Sequence, residues 1–459
     1  VKARALVLAA ALAAACGTPE PKVGMTPFTT MRMDGRASGD GEYVGKWALS
    51  EMVVPGGDAQ QAAIARERLS KIKSDGMYGS LARAIADQVH GEPKTAAEAY
   101  VSALVAAKKS GDPDAQLVAW FSAHNLRTLR SSVAELYAAH RPALDGLLSR
   151  PDTIGWRAVA ELEEWRAAEV LDKAETTGDA YDAMITKRLG CAQPVRIAGP
   201  FGHGTPADRR RSFDAERAGP WPVAWPADPM RGSVPHQLKI EQHRCIATST
   251  EAVPDGVFYV ETFFSTKGER DLLIAVQSAV KVWVDDVPVL SRDPRDWGSW
   301  QRFGTAVSVH GGRHRLLARV LGPTTSVRLL NLDGTSAGID ADADAAQPYS
   351  IEAPKLLASV NPIDAIVNAR ATSSPLQALL ASYAAHAEGL DDVAALLAEP
   401  IASPKDAAAV ALLHASDVVS GDPAMPDDAR QRSSKELRER AAQRDPKLWL
   451  ARLALIVDE

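Results

Sequence analysis

The strongest constraint lies in the middle third of the chain, Cys191 to about Gly334, and is sharpest in the run Val280 to Leu290, VKVWVDDVPVL. Five residues alternate in character, two acids follow, and a Val-Pro-Val-Leu run closes the segment. Alternation of period two suits a strand and not a helix, so a β-hairpin is expected here. Strands are also expected from Val195 into a tight turn at Gly202, and over Gln237 to Ala247, Gly256 to Ser265, Arg270 to Val276, Gly304 to His310, Arg313 to Leu321 and Thr325 to Leu332. A long loop, His203 to Pro235, rich in Pro, Arg and Trp, separates the first of these from the rest. Seven or eight short strands joined by turns predict an antiparallel β-sandwich over 191–334.

Both flanks are Ala- and Leu-rich and read as helix. From Asp58 onward the breaks at Gly76, Gly91-Glu92-Pro93, Gly111-Asp112-Pro113 and Pro151 leave short helical segments that pair antiparallel. The expected fold class is therefore α+β multidomain, with α-helical hairpin repeats (58–190 and 351–459) flanking the sandwich and an acidic linker over 335–350. In the first flank, Ala96, Tyr100 and Ala103 share one helical face, and Leu117, Trp120 and Phe121 follow a Gly-Asp-Pro break. In the second, Gly389 is followed by Ala394. This arrangement resembles degenerate tetratricopeptide repeats, in which small residues sit where paired helices touch.

The hairpin VKVWVDDVPVL, followed by Val307 to Leu317 with its His310-Gly311-Gly312-Arg313-His314, resembles galactose-binding-like jelly rolls over roughly Gly256 to Leu332. Asp285-Asp286 stands where that hairpin usually carries Asn-Gly or Asp-Gly, so either an Asp takes a left-handed backbone or the turn is longer.

The chain opens with Lys2 and Arg4, an apolar run from Ala5 to Ala15, and Cys16. That is the layout of a secretory signal peptide, 1–15, and the run is too short to span a bilayer. Ala13-Ala14-Ala15-Cys16 resembles the lipobox of bacterial lipoproteins, with Ala13 where the family usually has Leu. The resemblance implies a lipid on Cys16, a membrane anchor, a tether over 16–57 and a cell-envelope location. Cys191 and Cys245 are an even pair in an exported chain, and both lie in expected strands, so a disulfide is predicted between them.

A net charge of −6, spread along the chain, gives no sign of a nucleic-acid partner. Arg209-Arg210-Arg211 is flanked by Asp208 and Asp214 and reads as a solvated loop. Ser70-Lys71-Ile72-Lys73 fits a Ser-x-x-Lys spacing but lacks the companion motifs. Asp340, Asp342 and Asp344 have the spacing of a calcium loop without its later Gly and Glu, so no metal and no cofactor is expected. On the hairpin, Trp283 and Lys281 face away from the valines, and Trp297 and Trp300 follow in the next loop. These four are the candidate ligand-binding residues, as a platform for stacking a glycan; the same rings also suit a packing seam. No catalytic residues are expected. The function expected is a non-enzymatic scaffold that binds an envelope protein. The alternatives are a glycan-binding module and the N-terminal part of a transglutaminase-like envelope protein.

Overall fold

The structure, a computed structural model, describes residues 40–72, 76–150, 154–171, 179–227, 234–291, 304–358, 374–387, 390–422 and 425–457. The signal segment, Cys16, Trp297 and Trp300 lie outside these residues.

Helices come first: α1 Gly41–Val53, α2 Ala59–Ser70, α3 Gly76–Val89, α4 Pro93–Ala107, α5 Ala115–Leu129, α6 Leu136–Leu148, α7 Trp156–Arg166 running into a π-helical turn Ala167–Leu171, and α8 Asp179–Arg188. Local chemistry sets their starts. Asp40 and Asp58 cap α1 and α2 by accepting from the amides of Glu42 and Gln60, and Pro93 occupies the first turn of α4. The α3 start is capped from a distance, because the Glu42 carboxylate accepts from the amides of Met77 (2.7 Å) and Tyr78 (2.8 Å). Helices α1 and α3 approach closely where Gly45 meets Gly79; a Cβ on Gly45 would lie 2.1 Å from the Gly79 nitrogen.

The α1 helix corrects the expected tether over 16–57. Its Val44, Trp47, Leu49, Met52 and Val53 are buried in the helical core, so the final part of that stretch belongs to the folded body. The flanking helical regions are also one body in space. The C-terminal helices α10 Pro375–Ala387, α11 Asp391–Ala402, α12 Ala409–Gly421, α13 Asp427–Arg444 and α14 Trp449–Val457 share a single apolar core with α1 to α7. Phe121 meets Tyr383 edge-on at 5.1 Å. Gln377 Nε2 donates to Asp114 Oδ1 at 2.5 Å, the Gly56 amide donates to the Asp406 carbonyl at 2.8 Å, and His90 Nε2 lies 3.0 Å from Asp445 Oδ2. The sandwich is thus inserted between two halves of a helical domain.

Its strands are β1 Arg196–Phe201, β2 His236–Gln237, β3 Ile240–His243, β4 Ile246–Ser249, β5 Val257–Thr266, β6 Arg270–Val276, β7 Ala279–Val284, β8 Val287–Ser291, β9 Gly304–Val309, β10 Gly312–Val320, β11 Thr324–Leu330, β12 Ala341–Asp342 and β13 Lys355–Leu356. One antiparallel sheet has the order β2-β1-β5-β10-β7-β8, with β12 also on β5; the other runs β13-β9-β6-β11-β4-β3. Phe258, Val260, Phe264, Val282, Leu316 and Ala318 of the first sheet pack on Leu272, Ile274, Val307 and Leu329 of the second. Strand β12 draws part of the expected acidic linker into the sandwich, where Asp342 Oδ1 pairs with Arg313 at 2.5 Å. The single strand expected over Gln237 to Ala247 is instead the β3–β4 hairpin, turned at Arg244 with φ +54°.

Cys191 and Cys245 form the disulfide, with Cα atoms 4.8 Å apart and a sequence separation of 54. It fastens the exit from α8 to the β3–β4 turn. A loop of that length stabilises by about 3–4 kcal/mol on a chain-entropy estimate. Further contacts hold the sandwich to the helices: Arg328 Nε donates to the Leu189 carbonyl at 2.7 Å, and Trp156 packs with Leu273 and Leu330.

Candidate functional site

Strand β5 is buried along almost its whole length, because it is covered on both faces. Phe258, Val260 and Phe264 point into the sandwich core, whereas Val257 and Tyr259 belong to a second cluster on the outer face with Ala198, Phe201, Trp225, Trp283 and Leu317. The cover is the loop of residues 202–227, which carries the short helix α9 Pro206–Arg210 and a 3-10 turn Asp214–Glu216. We refer to it as the lid.

Trp283 does face away from the valines, as alternation requires, but it is only 5 % exposed. The lid lies over it, and Lys281 Nζ sits 5.2 Å from the ring centre and 3.9 Å from Glu216 Oε2. An open stacking platform at Trp283 and Lys281 is therefore corrected to a packing seam beneath the lid, since side-chain direction alone does not reveal what covers a face.

Between the apolar groups runs a buried ionic network. Glu261 and Arg315 are fully buried, and Arg315 Nε donates to Glu261 Oε1 at 2.7 Å. Arg196 takes the other Glu261 oxygen through Nη2. Arg319 holds Glu216 and, through Nε, the Tyr259 hydroxyl at 3.1 Å, while that hydroxyl donates to Glu216 Oε1 at 2.6 Å. Burial, partly opposed by Arg319, pushes the Tyr259 phenol well above its usual range. Arg319 Nη2 also donates to the Arg211 carbonyl at 2.6 Å, tying the lid to the sheet.

The Asp285-Asp286 turn anchors this network. Val284 pairs with Val287, so the loop has two residues, and both acids take left-handed backbones with φ +50° and +67°. That conformation costs about 1–2 kcal/mol per ordinary residue, and less for Asp. Five hydrogen bonds offset it, each worth about 1.5–3 kcal/mol when the acceptor is charged. Asp285 accepts from His314 Nδ1 at 2.7 Å and the Arg315 amide at 2.9 Å. Asp286 accepts from Arg315 Nη1 at 2.5 Å, the Tyr349 hydroxyl at 2.7 Å and the Gly219 amide of the lid at 3.2 Å. Asn-Gly would form the turn more easily but would lose the two carboxylates that these donors require.

The remaining candidates have ordinary partners. His314 is buried and hydrogen-bonded near the start of β10. His236, His243 and His310 pair separately with Glu251, Asp182 and Glu352. Among the described residues no group of three or more His, Cys, Asp or Glu could hold a metal ion, and no helix is long and apolar enough to cross a membrane. Ser70 Oγ donates to the Glu67 carbonyl, and Lys71 pairs with Glu67. Compared with models of protein families, with curated proteins and with solved structures, the chain matches none.

The network residues Arg196, Glu261, Arg315 and Arg319 were missed as a group by the sequence reading. A signal exists in Arg313, Arg315 and Arg319, which recur at odd positions of a strand whose even positions include Leu316, Ala318 and Val320, and in Glu261 within the apolar run Val257 to Phe264. Charges at one parity inside an otherwise apolar strand indicate a second buried face.

Proposed function

We propose that this chain is a non-enzymatic scaffold that binds a partner protein through its helical body and is held in the cell envelope by a lipid on Cys16. The observation supporting the binding role is the outer face of α14. Leu448 and Ala451 turn into the shared core, while Trp449, Leu453 and Ile456 are 48 %, 39 % and 66 % exposed. Their spacing of four and three residues forms one apolar stripe along the helix, the pattern by which helices engage a partner helix or groove. Trp449 is also fixed in place, because it packs against Gly91, where an added Cβ would lie 2.8 Å from its ring.

A photo-crosslinking residue at Ile456 should give one discrete product in the cell envelope, and Leu453→Glu should abolish it. A folded chain that gives no product from this face would rule the reading out. Labelling with a fatty-acid analogue tests the anchor separately: incorporation should require Cys16 and disappear in Cys16→Ala.

A further inference from the structure

Where β1, β5 and β10 lie beneath the lid, three buried nitrogen donors have no acceptor among the described residues: Arg315 Nη2, Arg196 Nε and Trp225 Nε1. Competition for Glu261 explains the first two. The Arg315 side chain is 1 % exposed, and its Nε takes Glu261 Oε1 at 2.7 Å. A guanidinium of this orientation would normally place Nη2 on the second carboxylate oxygen, but Arg196 Nη2 already holds that atom. Arg196 thereby spends Nη2 on Glu261 and leaves its own Nε unused. Its guanidinium stands 5.0 Å from the Trp221 ring, which meets Trp225 at 5.7 Å, so the third donor is on the same edge of the lid.

All three unpaired groups are donors, and buried donors without acceptors are rare in folded proteins. We propose that the outer face of the first sheet binds a small oxyanion, a carboxylate or a phosphate, between Arg196, Arg315 and Trp225. Glu261 and Asp286 already balance the charge of the two guanidiniums, so what the site lacks is acceptors for its three unpaired N–H groups, and an oxyanion brings only acceptors. A neutral sugar fits less well, because its hydroxyls bring further donors. Trp221 is partly exposed, so the approach lies at the lid edge, and the lid must lift there to admit the anion. The Trp221 and Trp225 rings provide an apolar wall for whatever carries the charge. This site is independent of the α14 face.

The test is a tryptophan-fluorescence titration of the full oxidised chain with inorganic phosphate and, separately, with glucuronate, against chloride at matched ionic strength. A saturable change with at least one probe is expected, with affinity weakened about tenfold or more in Arg196→Lys, which keeps the charge and removes Nε. Response to phosphate alone identifies a free inorganic anion as the ligand; response to glucuronate alone identifies an acidic saccharide. No saturable response to either probe overturns the proposal, as does unchanged affinity in Arg196→Lys. If that variant does not fold, calorimetric titration of Trp225→Phe, which keeps an aromatic ring and removes the N–H, decides by the same criterion.

Discussion

Asp285 Oδ2 and His314 Nδ1 meet at 2.7 Å, both side chains buried, across a turn whose two acids have left-handed backbones. The other ring nitrogen, Nε2, faces the His310 carbonyl at 2.9 Å. With an acceptor at each nitrogen, the imidazole satisfies both only when doubly protonated. Burial opposes that charge, but the Asp285 hydrogen bond and charge, with the His310 carbonyl, outweigh it and raise the His314 pKa.

Asp285→Ala should therefore cost about 3–5 kcal/mol, because a charge is left buried without its partner. Asp285→Asn, which tolerates the turn, should cost about 1–3 kcal/mol. The pH dependence has a definite sign. With the folded value raised, the pair's contribution is complete below the unfolded histidine value of about 6.5 and is lost as pH rises through the folded value. Urea unfolding across this range should show that loss in the natural chain and not in Asp285→Asn.

His414 should act in the opposite sense. It is fully buried, stacked on Tyr383 at 3.7 Å, with Nε2 2.7 Å from Ser382 Oγ. The Ser382 hydroxyl donates to the Ala394 carbonyl, so it accepts from Nε2, and Nδ1 has no partner among the described residues. Burial first, then the nearby His386, drive the His414 pKa well below its usual value. His386 is itself paired with Asp391, and Asp417 also lies nearby. Since the unfolded chain takes up this proton first, stability should fall by about 1.4 kcal/mol per pH unit as pH drops below about 6.5. His414→Phe keeps a ring against Tyr383 and should flatten that acid limb in denaturant titrations. An unchanged limb would assign the loss to other groups.

The placement of Trp283 leads to a third test. A covered ring packed with Phe201, Tyr259 and Leu317 should cost about 3–5 kcal/mol when cut to Ala. An exposed stacking residue would cost far less. Denaturant midpoints of Trp283→Ala decide between them, and acrylamide quenching of the remaining tryptophans should rise as the lid loosens.

These residues show what the sequence carries. Alternation along Val280 to Val284 placed the valines and Trp283 on opposite faces, and the pair count of cysteines led to the disulfide. Both are local or compositional signals. The lid over Trp283 was not legible, because loop 202–227 has no period that says which face it covers. The doubly left-handed turn was uncertain for a similar reason: its stabilising partners, Arg315, Tyr349 and Gly219, are between 29 and 67 residues away. The union of the two helical regions was hidden most deeply. His90 and Asp445, which join them, are separated by 355 residues, and each region reads as a self-sufficient amphipathic array.

That union gives the last test. Phe121 on α5 packs edge-on against Tyr383 on α10, and Gln377 on α10 reaches Asp114 at the start of α5. If the regions were separate domains, truncating Phe121 would weaken only the first. With one core, Phe121→Ala should cost about 3–5 kcal/mol and raise amide exchange in both 117–126 on α5 and 378–385 on α10, because the two helices pack on each other and opening either exposes the other's apolar face. Hydrogen exchange resolved by peptide measures the two together. Acceleration confined to 117–126, with 378–385 unchanged, would mean that the two halves unfold independently and that the α5–α10 contact is only a docking surface.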